Sequence, residues 1–426
     1  MARKEGQTTL KRSLSLLDAT AISVGAIIGG GIFVVTGIVA GVTGSALIVS
    51  MILAASIASF TALSYAELAA WQPVEGGIYE YARQLISPFS GFLAGWMWMV
   101  ANTFTGAAVS LGFAYYLKAW FPSLPANVVA AVLCLAFTGL NFLNARESAR
   151  VNTILVTAKL AILLFFVIFG ALKTNPANFT PFEPFNTGVL FGACFIFFAY
   201  TGFGRVAVVG EEVKDAESNV PKALLLSLAI STIIYILVGT TAVGLVGSAK
   251  LADSNSPLTA AMNAAGSPIA VQIVAFGGLL ATASVLLTAI LGVSRMAYSM
   301  ARRRDIPQVL AKLHNDFRTP FYSIWAVGFF MVALVLFFDL TGVVAVSTFG
   351  ALFYYAMTNA AALKLKTKGW HHKFYPAVGL CTCIALLAFI LFAAPSAWII
   401  GIICLLVGVA YYGLRTKHFN AKTLDK

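Results

Sequence analysis

The sequence predicts an all-α polytopic membrane protein with twelve transmembrane helices. Hydrophobic residues make up 60% of its 426 positions, charged residues make up only 10%, and the mean hydropathy is +0.88. Soluble domains carry about 25% charged residues, and a water-soluble fold of this length could not keep so much apolar surface away from water. Intrinsic disorder is excluded because it requires low hydrophobicity. A spanning helix takes about 20 apolar residues, so the apolar content suffices for about a dozen spans.

Twelve apolar runs can be marked along the chain, each of a length that suits one span. They cover residues 16–41, 45–71, 88–118, 125–143, 148–172, 187–211, 220–247, 270–301, 320–339, 342–363, 374–393 and 396–414. The boundary between the ninth and tenth runs depends on Asp339, Thr341 and Gly342, and one long helix is the alternative there. The gaps are loop-sized, so no soluble domain is predicted, although residues 305–314 could form a short surface helix.

The basic residues predict the orientation of the spans. With a cytoplasmic N-terminus, 24 of the 28 Lys and Arg residues fall in cytoplasmic gaps or adjoining helix ends, and three (Lys118, Lys173 and Lys250) fall outside. Because positive residues are retained on the cytoplasmic side, we expect a protein of the cell membrane with both termini cytoplasmic. The net charge of +12 is then topogenic. No nucleic-acid partner is expected, because nucleic-acid binders concentrate Lys and Arg on one face.

The first span contains an interruption. Gly25, Gly29, Gly30 and Gly31 occur within seven positions, and each costs roughly 1 kcal/mol relative to alanine in a helix. Close helix packing is one explanation, because Gly25 and Gly29 have the G-x-x-x-G spacing. Three consecutive glycines exceed what packing needs. They favour a backbone that unwinds within the membrane and offers N–H and C=O groups to a ligand.

The sixth span also carries glycine at its middle, within the stretch from Phe197 to Gly204. The first and sixth spans hold corresponding positions in two five-helix halves, and paired interrupted segments of this kind indicate a transporter site at the midplane of the membrane. Half-helix N-termini suit a carboxylate, and freed carbonyls suit an ammonium. A zwitterionic amino acid presents both groups.

Four blocks of sequence add a family pattern. They are Gly25-x-Ile27-Ile28-Gly29-x-Gly31-Ile32-Phe33; Ser64 to Ala70 with Pro73 and Gly76-Gly77-x-Tyr79; Glu211 to Lys214 with Val220 to Ala223; and Ser294 to Arg302 with Pro307. Together they resemble the amino acid–polyamine–organocation (APC) transporter superfamily over about residues 14–310. The resemblance implies the leucine-transporter-like fold, in which two inverted five-helix repeats are followed by two helices. The segments are then the tail 1–15, the repeats 16–172 and 187–363, the helices 374–414 and the tail 415–426.

The resemblance also implies how a substrate is held. The substrate carboxylate would meet N–H groups of the three consecutive glycines, and its ammonium would meet carbonyls near Ile27, Phe198 and Thr201. Phe198 would act as an aromatic gate over the ligand. The residues implied around the substrate are Ile27, Gly29, Gly30, Gly31, Asn102, Phe198, Thr201, Gly202 and Phe203. The sequence departs from many relatives at Gly204-Arg205, where small or acidic residues are common.

Lys159 lies near the middle of the fifth span, where a charged side chain costs at least about 2.5–3.5 kcal/mol. Its distance from both helix ends argues against a lysine that extends to the interface, and an intramembrane ionisable group is a functional candidate by default. Burial disfavours the charged form, so such a lysine can exchange a proton. The resemblance to proton-driven members implies an ammonium in the sodium site of sodium-coupled relatives, in contact with the Gly25 carbonyl and the Ser284 hydroxyl. We expect a proton as the coupling ion, no sodium and no cofactor.

Other polar residues leave alternatives open. Asn102 serves either interhelical hydrogen bonding or the lining of the pocket, and Glu67 is either a gating carboxylate or an interfacial one. No carboxylate lies securely at mid-membrane depth. A cationic substrate would therefore lack a counter-charge, and neutral amino acids with broad specificity are the expected substrates.

The predicted function is import of amino acids by proton-coupled symport through alternating access. The alternatives are an amino acid or amine exchanger without proton coupling and, in a different class, a channel. An enzyme is not predicted, because neither a G-x-S-x-G nor an H-E-x-x-H motif occurs. The expected partners are the substrate and membrane lipid, and the sequence does not predict an oligomeric state.

Overall fold

The computed structural model describes residues 14–73, 76–143, 148–208, 213–315, 317, 319–366 and 371–424. Every regular element within these ranges is a helix, and one isolated parallel bridge pairs Leu14 with Val213. The predicted tail 1–15 lies outside the described residues except for its last two positions. Glu211 and Glu212 of the third sequence block, and the last two residues of the chain, also lie outside them.

The first two apolar runs form three α-helices and a π-helix, with an interruption after the first α-helix. Helix α1 spans Leu16–Ile27, a five-residue π-helix spans Gly31–Val35, α2 spans Thr36–Thr43 and α3 spans Leu47–Trp71. Ser15 caps α1: its hydroxyl accepts a hydrogen bond from the N–H of Asp18, whose carboxylate accepts the N–H of Ser15 at 2.9 Å. This capping box satisfies two donors that the first turn of a helix leaves without partners.

The other apolar runs and two of the gaps form helices α4 to α16. Their bounds are α4 Ile78–Leu85, α5 Pro88–Leu117, α6 Ala126–Leu143, α7 Ser148–Ala171, α8 Thr187–Tyr200, α9 Arg205–Val208, α10 Ala216–Ala252, α11 Pro257–Ala264, α12 Pro268–Arg302, α13 Phe321–Phe337, α14 Leu340–Leu363, α15 His371–Ala393 and α16 Pro395–Leu424. The backbone of α10 is non-helical at Gly247, where φ is 75°.

The ninth and tenth apolar runs are separate helices. α13 ends at Phe337, and α14 begins directly after Asp339. The Asp339 carboxylate accepts a hydrogen bond from the N–H of Gly342 at 3.2 Å, which is the geometry of an N-terminal cap. The alternative of one long helix across this boundary is therefore wrong.

Polar segments between the spans differ from the expectation in two ways. Residues 305–314 hold a 3-10 turn, Gln308–Ala311, rather than a surface helix, because Pro307 lacks an N–H and disfavours a helix through the residue before it. The short helices α4 and α11 were not predicted, because the search followed apolar runs and both helices lie in gaps between such runs.

Eight helical stretches of the described residues are long and apolar enough to cross a membrane. The first of them, Leu16–Trp71, has 56 residues and contains both of the first two apolar runs. Ala126–Phe142 and Phe321–Phe337 are shorter apolar helices, and α5 has 30 residues. The chain is therefore a multi-pass membrane protein, since each long apolar helix satisfies its own backbone polar groups within the bilayer.

The packing places the two interrupted spans side by side. α1 packs against α7, α9, α10 and α12, and α8 packs against the π-helix that follows α1. α5 lies at the centre of the bundle and packs against α4, α6, α12, α13, α14 and α16. The interruptions are thus surrounded by α5, α7, α10 and α12, which can direct side chains at the exposed backbone.

A polar cluster joins α4, the end of α12 and α16. Asp305, whose side chain is 2% exposed, accepts hydrogen bonds from the hydroxyl of Tyr79 at 2.6 Å and from Arg83 at 2.9 Å, and it pairs with Arg415 at 2.6 Å. Burial and the neighbouring carboxylate raise the pKa of Tyr79, which therefore stays a neutral donor. Removing one partner from a buried ion pair costs about 3–5 kcal/mol, so this cluster ties the three elements together.

Candidate functional site

The first span is interrupted where the sequence predicts it. α1 ends at Ile27, Ile28 has an extended backbone, and the helix resumes at Gly31. The three consecutive glycines are buried, and each faces a different helix. A Cβ at Gly29 would lie 2.1 Å from Val285, one at Gly30 2.4 Å from Val109, and one at Gly31 2.4 Å from the Cα of Ala199. The glycines therefore serve close packing as well as the interruption, and the contact of the unwound backbone with a ligand stays a prediction.

The sixth span is interrupted at Thr201 to Gly204, between α8 and α9. Gly202 has φ of 114°, a conformation that residues other than glycine rarely adopt. A Cβ at Gly202 would lie 2.7 Å from the carbonyl oxygen of Ala26, and the hydroxyl of Ser23 donates to the carbonyl of Phe203 at 3.1 Å. The two interruptions therefore contact each other directly through their backbones.

A helix that ends leaves its last four carbonyls without partners in the helix. At these interruptions the partners come from side chains of neighbouring helices. The hydroxyl of Tyr235 in α10 lies 2.8 Å from the carbonyl oxygen of Ile27 and 2.9 Å from that of Ala199, as a donor shared between the ends of α1 and α8. Tyr116 in α5 donates to the carbonyl of Phe33 in the π-helix.

These bonds bear on the carbonyls expected to receive a substrate ammonium. The Ile27 carbonyl already accepts from Tyr235, and the Phe198 carbonyl accepts from the N–H and the hydroxyl of Thr201 at 3.2 and 2.7 Å. A carbonyl oxygen has two lone pairs, so a ligand can join or replace these donors. The contact of a substrate with Ile27, Phe198 and Thr201 stays a prediction.

Lys159 is fully buried, at 0% exposure, between α7, α1 and α12. Its Nζ donates to the carbonyl oxygen of Gly25 at 2.8 Å and to the hydroxyl of Ser284 at 3.0 Å. These are the two partners that the resemblance implies. Because α1 ends at Ile27, the Gly25 carbonyl is among those that the helix leaves free. Lys159 of α7 thus donates to a carbonyl at the interruption of the first span, which is a different helix from its own.

Arg205 begins α9, and its side chain extends from the second interruption to two other helices. Nη1 donates to the hydroxyl of Thr288 in α12 at 2.6 Å, and Nη2 donates to Oδ1 of Asn102 in α5 at 3.2 Å. The amide nitrogen of Asn102 donates to the carbonyl of Trp98 at 2.9 Å. Asn102 thus contacts a residue of the second interruption as well as its own helix.

The aromatic residues of the site are packed. Phe198 is 4% exposed, and Phe203 is fully buried with its ring stacked on Tyr355 at a centroid distance of 4.9 Å. Phe197 meets Tyr355 edge-on at 5.9 Å. The role of Phe198 as a gate over the ligand and that of Phe203 in lining the pocket stay predictions.

Glu67 lies outside this constellation. Its carboxylate is 2.6 Å from Nδ1 of His372 at the start of α15, so the contact joins α3 to α15. Among the described residues, no group of three or more His, Cys, Asp or Glu side chains could hold a metal ion.

Sequence reasoning missed Tyr235, Tyr116 and Thr288. A tyrosine or threonine within an apolar run is equally compatible with ordinary packing, and the acceptor carbonyls are distant in sequence. A signal was available in retrospect, because an interrupted helix requires donors for its free carbonyls. Tyrosine hydroxyls in apolar runs are natural candidates, since they usually find a partner when buried.

Comparison with known proteins gives the same family as the sequence blocks. The pattern of the family described as amino acid permease matches residues 14–413. An uncharacterized transporter of Mycobacterium tuberculosis is 37% identical over 95% of this chain and 92% of its own length. The methylthioribose transporter of Bacillus subtilis is 30% identical over 97% and 95%, and the branched-chain amino acid permease BcaP of the same organism is 31% identical over 86% and 84%. The chain belongs to the amino acid permease family of the APC superfamily, a family of transporters and not of enzymes.

Proposed function

We propose that this permease imports amino acids across the cell membrane by proton-coupled symport through alternating access. The observation that carries the proposal is the position of Lys159, fully buried and bonded to the Gly25 carbonyl and the Ser284 hydroxyl. The ammonium occupies a place between three helices, one of which ends two residues beyond Gly25. A fixed cation there leaves no need for sodium.

Proton exchange at Lys159 couples to conformation through these two contacts. A protonated lysine offers three donors and holds α7 against α1 and α12, whereas the neutral amine turns a lone pair toward its surroundings and bonds a carbonyl more weakly. Loss of the proton therefore loosens α1 at its interruption. A change in protonation shifts the populations of two conformations by the difference between its interaction free energies in them. Such a shift is required to couple transport to a proton gradient.

The proposed substrate is an amino acid whose side chain is not cationic. Its carboxylate binds near Gly29, Gly30 and Gly31, at the start of the resumed helix, where first-turn N–H groups lack partners within the helix. Its ammonium binds near the carbonyls at the ends of α1 and α8. The described residues place no carboxylate beside Lys159 or Arg205, so a cationic side chain meets no counter-charge. Neutral side chains satisfy this condition, and so do acidic ones.

The proposal includes twelve spans, two inverted five-helix repeats and cytoplasmic termini. The described helices support the count if Leu16–Trp71 crosses twice and α5, α6 and α13 each cross once. The distribution of 24 basic residues on one side and three on the other supports the orientation.

Uptake by the purified protein in proteoliposomes tests the coupling. We expect accumulation of a radiolabelled amino acid to rise when the outside is made more acidic than the lumen, with or without sodium. The variant Lys159→Met should lose this response and lower the initial rate by about 10- to 100-fold, the equivalent of lost bonds to a charged group. Lys222→Met is the matched control, because Lys222 is exposed at the start of α10.

Four results would contradict parts of the proposal. Uptake that requires sodium and ignores the pH gradient would exclude proton coupling. An unchanged pH response in Lys159→Met would exclude Lys159 as the coupling residue. Uptake that appears only when the lumen is preloaded with an amino acid would identify an exchanger. A flux that does not saturate and shows no counterflow would identify a channel.

A further inference from the structure

Arg205, counted above among the basic residues at cytoplasmic helix ends, also lies within Thr187–Ala207, a stretch apolar enough to cross the membrane. It is a second cation in such a stretch, and the proposed coupling does not use it. Its guanidinium donates to two neutral oxygens, the Thr288 hydroxyl and the Asn102 amide oxygen. Tyr354 and Tyr355 of α14 and Lys159 are close enough to interact with it electrostatically. Every group named around Arg205 is therefore neutral or cationic.

The ion pairs among the described residues do not include Arg205. They join Arg83 and Arg415 to Asp305 and Arg303 to Glu80, and the remaining acidic contact is that of Glu67 with His372. A charge within a membrane protein is costly unless it is paired, and it marks a substrate or ion pathway by default. Because the described residues around Arg205 do not neutralise it, an incoming anionic group can supply the missing counter-charge.

The position of Arg205 indicates which part of a substrate it meets. Thr288 follows Ser284 by one helical turn on the same face of α12, about 6 Å along the axis. Ser284 accepts a hydrogen bond from Lys159, and Val285, the next residue of α12, packs against Gly29. Arg205 thus lies beside the interruptions but bonds side chains of α5 and α12, leaving the backbone groups of the interruptions for the α-amino and α-carboxyl groups.

We propose that Arg205, together with Asn102 and Thr288, binds the side chain of the substrate and selects amino acids whose side chain carries a carboxylate. The planar guanidinium matches a carboxylate in two parallel hydrogen bonds. The amide of Asn102 and the hydroxyl of Thr288 can then bond the same anion. This assignment rests on the proposed function, because it places the α-amino and α-carboxyl groups at the two interruptions.

The resulting preference differs from the one expected from the sequence. Lack of a mid-membrane carboxylate argues only against cationic side chains, and it left neutral ones as the expected class. The uncompensated guanidinium moves the preference from neutral to acidic side chains. A glutamate or aspartate carries a net charge of −1 into a site that holds two cations, so its binding reduces the charge imbalance there.

Proteoliposome uptake of radiolabelled glutamate, glutamine, leucine and lysine at one fixed pH gradient tests the assignment. The wild-type protein should have the lowest KM for glutamate and the highest for lysine. The variant Arg205→Gln should reduce the glutamate-to-leucine ratio of kcat/KM by about 10- to 100-fold, the equivalent of charge-assisted hydrogen bonds. Arg302→Gln, at the exposed end of α12, is the control and should keep the wild-type ratio.

A second variant tests the same point without removing the guanidinium. Asn102→Asp places a carboxylate where the amide oxygen now lies, 3.2 Å from Nη2 of Arg205, at almost constant volume. The new carboxylate would pair with Arg205 and compete with that of the substrate. We expect the glutamate-to-leucine ratio to fall at least about tenfold, and this variant decides the question if Arg205→Gln does not fold.

The outcomes separate this inference from the proposed function. If no amino acid is taken up, the proposed function fails. If leucine and glutamine are taken up as readily as glutamate, transport stands and the side-chain assignment is overturned. A uniform loss for all four substrates in Arg205→Gln and in Asn102→Asp also overturns the assignment, because Arg205 would then act on the α-carboxylate or on the fold.

Discussion

Lys159 and Arg205 are both intramembrane cations, but their surroundings differ. Lys159 is completely buried and bonds a backbone carbonyl that the end of α1 leaves free. Arg205 is partly exposed and bonds two side chains from two helices. Lys159 supplies the donor that the carbonyl of Gly25 lacks where α1 ends, so this cation is part of the helix structure. A cation bonded to an amide and a hydroxyl can exchange these partners for a ligand at little structural cost.

The difference has a consequence for charge as well. Burial disfavours the charged state of an amine, and a lysine can lose its proton, whereas an arginine cannot be deprotonated in proteins. Lys159 is therefore suited to a role in which the charge changes, and Arg205 to one in which the charge stays constant. Proton coupling and anion recognition are thereby assigned to different residues, and charge-conserving substitutions can test this division.

The largest effect is expected from Lys159→Arg. The substitution conserves the positive charge but adds volume at a fully buried position, which costs roughly 1–3 kcal/mol by overpacking. It also installs a group that keeps its proton. We expect uptake to fall by about 10- to 100-fold and the remaining uptake to be independent of the pH gradient. Initial rates in proteoliposomes at three external pH values measure both effects.

If uptake by Lys159→Arg still depended on the pH gradient, Lys159 would not be the coupling residue, since the arginine in its place cannot exchange a proton. Lys222→Arg, at an exposed position, is the control for the chemical change alone. It should leave both the rate and the pH response as in the wild type, because surface substitutions are usually within about 0.5 kcal/mol.

A smaller effect is expected from Tyr235→Phe, which tests whether side-chain donors support the interrupted backbone. The substitution removes the hydroxyl between the carbonyls of Ile27 and Ala199, and an unsatisfied buried acceptor costs about 1–3 kcal/mol. Thermal unfolding in detergent should show a lower Tm than for the wild type. Tyr200→Phe is the control: the hydroxyl of this neighbouring ring donates at 3.2 Å to the carbonyl of Met51 inside the continuous helix α3. That carbonyl keeps its donor within the helix, so the Tm should fall less.

The sequence predicted the interruptions and the interior lysine, because glycine runs and a charge in an apolar run are departures from a simple pattern. It also predicted the two partners of Lys159 through resemblance. The donors at the other carbonyls could not be predicted, because Tyr235 is separated from Ile27 by 208 positions and looks like a packing residue. Arg205 was recognised as a departure from the family. The direction of its side chain depends on how α9 is oriented toward α5 and α12, and local sequence patterns do not predict that orientation.

The smallest effect is expected from Arg205→Lys. An ammonium keeps the charge but lacks the planar fork that now reaches Thr288 and Asn102 at the same time. We expect the glutamate-to-leucine ratio of kcat/KM to fall only about 3- to 10-fold, the equivalent of one hydrogen bond, with the pH response of uptake retained. If Arg205→Lys abolished the pH response while leaving the ratio intact, the two cations would have exchanged the roles assigned to them. The same proteoliposome preparation measures both quantities, so one experiment compares the side-chain preference with the coupling directly.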